Sequence, residues 1–420
     1  MPHRNVSSQP VSSPPAAAQG ASGRDWPDAR LRSALESLLL EGITSQPHPV
    51  FPGAVLGLVS DHGSWTTSVG QARRYADATG RLLPDSEQVA MRVDTVVDLA
   101  SLTKLFTATV ILHLAEDGRL SLDDPVGDFL VEYRAPVRDR VTVRQLLTHT
   151  SGLPAEIFIW RDVREAAARP AAVLGCPLEA EPGTRFRYSC TGYITLGLLA
   201  QRLTGESLDQ LVQRIVCRPL GLPDTSYRPL DRLGRHDIDR VAATECRGAD
   251  DTRGIVHDEN AASLNGVSGN AGLFGTVADL LRFGRFFLDG PASITDGTSP
   301  LSAATMAEML TPQLPASIDN DYQSGLSWRI DDRGFMGDLA GRGRTFGHTG
   351  FTGTSLLVDP DRRLVAVLLT NRVHPSRDWS DMNAFRRRVA TVLAELPLGS
   401  RGVSTGSGAT RRPGRDGAGR

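Results

Sequence analysis

The stretch Asp98-Leu99-Ala100-Ser101-Leu102-Thr103-Lys104 sets a serine three residues ahead of a lysine, at the head of an apolar run that continues to Asp117. Lys104 is the only lysine among 46 Lys plus Arg. Arginine can supply a fixed cation anywhere. It cannot give up a proton, whereas a buried lysine shifts its pKa readily. Residues i and i+3 share one face of a helix. Ser101 at the helix N-terminus is also surrounded by backbone N–H groups with no helical partner. The pair therefore reads as a serine nucleophile activated by a buried lysine base of lowered pKa. Taken alone, the same spacing is equally a capping serine beside a snorkelling lysine.

Outward from this point the apolar pattern organises the chain. Residues 101–117 are apolar nearly all round, which predicts a helix in the middle of the fold, ended by Gly118. Helical spacing of Leu31, Ala34, Leu35, Leu38 and Leu39 predicts a helix over 27–40, with Gly42 as its stop. Residues 52–60 and 65–69 flank a turn at 61–63 and predict an antiparallel hairpin. Helical segments follow from 120 to about 288, the clearest at 208–215 and 278–288. Strand patterns return at 322–330, 354–358 and 364–370, and a helix over 382–396 closes the domain. Strands at both ends with helices between predict a mixed α/β (α+β) fold. In it an antiparallel sheet is flanked by helices and carries an inserted helical subdomain. The expected divisions are a disordered leader at 1–25, one domain at 26–397 and a disordered tail at 398–420. Within the domain, the sheet lobe covers about 26–119 and 290–397, and the helical lobe about 120–289. The cleft between lobes is the expected site.

Two further motifs fall within this frame. In Arg185-Phe186-Arg187-Tyr188-Ser189-Cys190, the Tyr188 phenol beside an ammonium can shuttle a proton. In Phe346-Gly347-His348-Thr349-Gly350-Phe351, small residues let a substrate lie along an edge strand, and the Phe351 N–H joins the Ser101 N–H as an oxyanion hole. No Gly-x-Ser-x-Gly elbow occurs within the domain at 26–397, which argues against a Ser-His-Asp triad of the α/β-hydrolase kind.

Ser-x-x-Lys, Tyr-x-Cys and His-Thr-Gly in this order resemble the serine β-lactamase and penicillin-binding-protein superfamily, specifically its class C-like branch and the serine esterases related to it. The resemblance covers about 51–375. It implies a β-lactamase/transpeptidase-like fold and an acyl-enzyme on Ser101. Lys104 and Tyr188 would be proton-transfer partners, and Cys190, His348, Thr349, Gly350 and Phe351 would line the substrate. It implies no metal and no organic cofactor. Two departures matter. Cys190 stands where that family usually carries asparagine, and a thiol is a weak hydrogen-bonding group. His348 stands where true β-lactamases often carry lysine, replacing a permanent cation by a mostly neutral imidazole. Both favour neutral ester substrates, so the leading expectation is a carboxylesterase acting on small esters. Alternatives are a β-lactamase or D,D-carboxypeptidase, a biosynthetic acyltransferase or cyclase, and a non-catalytic binder of acyl ligands.

Composition narrows the rest. A 420-residue chain, 40% hydrophobic and 22% charged, with formal net charge −2, is an ordinary globular composition. It gives no reason to expect nucleic acid or an anionic membrane as partner, only a small-molecule ester or amide. No apolar run reaches the length of a spanning helix, and residues 1–25 carry no apolar signal segment, so a cytoplasmic location is expected. Cys176, Cys190, Cys217 and Cys246 have neither disulfide nor zinc spacing and read as reduced thiols. The run His257-Asp258-Glu259-Asn260 reads as a loop at the cleft mouth ordered by its own hydrogen bonds.

Overall fold

The structure, a computed structural model, describes residues 26–247, 250–295 and 297–398. The expected leader, and the expected tail beyond Leu398, lie outside these residues. The frame of the molecule is an eight-stranded antiparallel sheet. Its spatial order is Val89–Ala90, Gly63–Arg73, Gly53–Ser60, Leu364–Thr370, Ser355–Asp359, Phe346–Thr349, Arg329–Ile330 and Gln323–Ser324. The hairpin at the N-terminal end of the domain thus pairs with strands near its C-terminal end, Ala54 opposite Thr370 and Val59 opposite Val365.

The central strand Leu364–Thr370 is buried along its whole length. Successive side chains of a strand point to opposite faces. Val365, Val367 and Leu369 enter one core, and Leu364, Ala366 and Leu368 the other. Helices Ala29–Thr44 and Asn383–Leu393 cover the second face, bringing Leu35, Leu39, Phe385 and Leu393 to it. Helix Val277–Asp289 covers the first with Leu280, Phe283 and Phe287. A strand apolar on both faces is what two covered faces require.

Helix Thr103–Glu116 runs through the larger core, with every side chain from Thr103 to Leu112 buried, and packs against helix Cys190–Thr204. Among the described residues no helix is long and apolar enough to cross a membrane.

Several elements differ from the sequence reading, each for a local reason. The first helix continues past Gly42 to Thr44. Gly42 is there because a Cβ would lie 2.4 Å from the Phe51 ring, not as a stop. Residues 322–330 form two short strands broken at Ser327, whose φ is 77°. The helix at 208–215 is α only over Leu208–Val212 and widens to a π turn over Gln213–Cys217. The stretch between the lobes' boundaries is not purely helical. Strands Ser226–Tyr227 and Leu273–Gly275 join Val97–Asp98 in a small sheet, and Ala243–Arg247 pairs with Asp250–Arg253. Helix Val277–Asp289, sequentially in the helical stretch, packs on the large sheet.

Candidate active site

The small sheet delivers the nucleophile turn. Val97–Asp98 pairs with Phe274 and Gly275, and the chain then turns through a single 3-10 turn, Ala100–Leu102, into helix Thr103–Glu116. Ser101 is half-buried in that turn and Lys104 is fully buried one turn on. Lys104 Nζ lies 3.0 Å from Ser101 Oγ, 2.9 Å from the Asn270 carbonyl and 3.6 Å from Cys190 Sγ. It also stands 5.0 Å from the centre of the Tyr188 ring.

Three acceptors around one nitrogen match the three donors of an ammonium. Burial is the largest influence on Lys104 and disfavours the charge. The electrostatic pull of Cys190, then of Tyr188 and the Asp258 carboxylate, outweighs it and holds the amine above its ordinary value. The lowered pKa expected from burial alone is therefore corrected: the free site holds Lys104 as the cation. Burial likewise pushes the Cys190 thiol up, against the pull of Lys104, so it is a neutral thiol.

Tyr188 and Cys190 are placed by the start of helix Cys190–Thr204. Ser189 caps that helix, accepting the Gly192 N–H at 3.0 Å and donating to the Pro154 carbonyl at 2.6 Å. Its own N–H is accepted by His149 Nδ1 at 3.0 Å. The His149 ring packs against Tyr188 and Tyr193 at 4.5 and 5.0 Å between centres. Burial first, then the Lys104 and Arg329 charges, pushes His149 well below its usual value, so it stays neutral and can accept that N–H.

The third motif is strand Phe346–Thr349. Its outer neighbour, Arg329–Ile330, pairs only with Gly347 and Phe346, which leaves the edge open from His348 onward. Gly350 passes so close to the nucleophile turn that a Cβ would lie 2.1 Å from Thr354 Oγ1 and 2.6 Å from the Leu99 carbonyl. Thr349, Gly350 and half-exposed Phe351 face the cleft, and among the described residues the Phe351 N–H meets no acceptor. His348 does not face it. It is 1% exposed, its ring centre 6.1 Å from that of Tyr188, and burial holds it neutral.

The cleft has a volume of about 480 Å³ and contains Ser101, Tyr188 and Thr349 to Phe351. Larger cavities, of about 530 and 830 Å³ on the helical lobe and about 510 Å³ along residues 314–323, reach none of these residues. Sequence reading missed the cleft's cations: Arg329, Arg372, Arg377 and Arg386. The Arg329 guanidinium lies 5.5 Å from the Tyr188 ring centre, on the same ring that Lys104 approaches. Arg386 donates to the Gly350 and Thr354 carbonyls at 2.8 and 2.9 Å. Among the described residues no carboxylate lies within ion-pair distance of it, and burial, then Arg329 and Arg372, push it down to about 9 against the pull of Asp381. Asn270, which anchors Lys104, was also missed as a site residue.

The β-lactamase family model matches residues 44–391. The chain is 30% identical over 367 residues to a putative D-alanyl-D-alanine carboxypeptidase of Escherichia coli O157:H7, covering 79% of this chain and 81% of the relative. Among solved structures, SurE is 25% identical with a TM-score of 0.62, over 88% of this chain and 76% of its own. A class C β-lactamase shares the fold at 17% identity and a TM-score of 0.67, over 88% of this chain and 98% of its own. A penicillin-binding-protein homologue from Caulobacter crescentus does so at 20% identity and 0.63, over 87% and 97%. With this match spanning most of the domain and the antiparallel sheet beneath it, the chain belongs to the β-lactamase family and is a serine hydrolase of the β-lactamase and penicillin-binding-protein superfamily.

Proposed function

We propose that the protein cleaves a D-alanyl-D-alanine-type peptide with a free C-terminal carboxylate, through an acyl-enzyme on Ser101. The observation that carries this is the buried arginine group beside Ser101. A buried cation with too little counter-charge is costly, and Arg386 is such a cation: Arg329 and Arg372 add to the same field, and Asp381, which also lines the cleft, offsets it only in part. An anionic group on the leaving side of the substrate would compensate it. These arginines supply the charge that His348 does not, which weakens the inference from His348 to neutral esters. The carboxypeptidase-named relatives agree, and SurE has been solved with D-Leu, itself a D-amino acid.

In this reading Ser101 attacks the scissile carbonyl, and the oxyanion rests between the N–H groups of Ser101 and Phe351. Tyr188 receives the Ser101 proton as it gives its own phenol proton to the departing amine, so the phenol ends as it began. Water then releases the acyl group. A second reading, hydrolysis of short esters, is favoured by Cys190, because a thiol holds a substrate amide poorly.

A substrate panel separates them. An N-acyl-D-alanyl-D-alanine should be turned over faster than its C-terminal amide, and Arg386→Met should erase that preference. Equal rates for acid and amide, with an aryl acetate faster than both, would give the esterase reading. Intact-mass detection of an adduct after a fluorophosphonate, absent in Ser101→Ala, tests the nucleophile itself.

A further inference from the structure

Asp98 and His257 take no part in the proton transfers above, yet both are buried against the supports of the two oxyanion donors. One Asp98 carboxylate oxygen accepts the Ala100 N–H at 2.8 Å, and the other accepts the His257 N–H at 2.7 Å. The Asp98 backbone carbonyl accepts the Thr352 hydroxyl at 2.7 Å. Ala100 immediately precedes Ser101 and has a φ of 47°. A residue with a Cβ is strained there and stays only where its surroundings hold it. The Asp98 carboxylate supplies that hold.

The His257 ring, 5% exposed, stacks on Phe351 with centres 5.5 Å apart and planes 21° from parallel. Arg372 lies 4.5 Å from the same Phe351 ring centre and donates to the Phe351 carbonyl at 2.7 Å. Glu245 Oε2 is 3.2 Å from His257 Nε2, and Arg377 grips Glu245. Arg247 donates to the His257 carbonyl at 2.7 Å. His257 therefore meets the Ser101 turn through its main chain and the Phe351 turn through its ring.

We infer that Asp98 and His257 are positioning residues that fix the Ser101 and Phe351 N–H groups at one separation, so that a developing oxyanion meets both donors together. The inference rests on the acyl-enzyme reading. A donor displaced from where charge develops weakens the transition state more than the ground state.

The test is steady-state hydrolysis of an aryl acetate by the full chain, with a fluorophosphonate adduct on wild-type Ser101 as the reference. An absent wild-type adduct would refute the acyl-enzyme reading itself, separately from the positioning. Given that adduct, His257→Ala should lower kcat by about 10- to 100-fold with KM within about 3-fold. His257→Phe, which keeps a ring on Phe351, should recover most of the loss. Phe351→Ala removes the exposed partner and should reproduce it should His257→Ala not fold. Asp98→Asn, which turns an amide NH2 toward one of two N–H donors, should show the same kcat-weighted loss. Wild-type kcat in His257→Ala, or in Phe351→Ala when the former does not fold, overturns the inference. So do a loss confined to KM, no recovery in His257→Phe, and wild-type kcat in Asp98→Asn.

Discussion

The charge on Lys104 decides which side chain is the base. With Ser101 Oγ, Asn270 O and Cys190 Sγ all within reach, the nitrogen is arranged to donate rather than accept. Tyr188→Phe should therefore slow acylation of Ser101 by about 10²- to 10⁴-fold, the usual scale of general acid–base catalysis. Acylation at the wild-type rate in that variant would return the role to Lys104. The two buried imidazoles lead to a pH prediction. Desolvation holds His149 and His348 neutral, far below an ordinary histidine value of about 6.5. The kcat/KM profile between pH 6 and 8 should carry no limb from His149 or His348, and His348→Asn should not move any limb that is seen. A shift of the profile in that variant would show His348 titrating. At this scale the sequence was informative where a residue type was rare. One lysine pointed to its own helix face, and Ser101 lies 3.0 Å from it. Arg329, Arg372 and Arg386 were invisible for the opposite reason, hidden among the many arginines that surface composition alone would explain.

Elements were legible in proportion to how well periodicity distinguishes them. Strand Leu364–Thr370 showed as an unbroken apolar run, and its ends matched. Which core each of its side chains enters was not readable, because both faces are apolar. Strand Phe346–Thr349 was read only as a motif, since four residues with one glycine and one histidine give no period-2 pattern. The nucleophile segment, expected as one helix from Ser101, starts with a 3-10 turn because Ala100 is left-handed. The shared strand also sets an energetic expectation. Leu369 is fully buried in the larger core, and truncating a buried leucine leaves a cavity. Leu369→Ala should cost about 2–5 kcal/mol in urea unfolding. A loss below about 1 kcal/mol would mean the strand is packed far more loosely than its burial implies.

Across the whole molecule, Arg377 ties the helical side to the segment after the last strand. It pairs with Glu245 at 2.5 Å and also with Glu259, while His257 holds the other flank of Glu245. Burial raises the Glu245 carboxyl, but the hydrogen bonds from His257 and Arg377 together bring it well below the usual carboxylate range. A depressed carboxylate contributes stability that is fully present above its unfolded value of about 4.3 and is lost as pH falls toward its folded value. Wild type should therefore exceed Glu245→Gln in melting temperature at pH 7, with the gap closing as pH is lowered from 5 to 3. A gap that stayed constant would detach the network from the acid response. Composition could not have shown this tie, because Arg377 is more than a hundred residues from both glutamates it grips.

The pairing of first and last strands has a consequence for biosynthesis. The Asn371 side chain accepts the Gly53 N–H across 318 residues. At roughly 5–20 residues per second, a ribosome needs about 15–60 s to bridge that interval. Until then the nascent hairpin presents a bare edge, and the Leu99 carbonyl lacks the Thr354 hydroxyl that later caps it. Chaperone demand should thus concentrate on the early hairpin, and a transcript cut before codon 346 should yield a polypeptide that no fluorophosphonate can label.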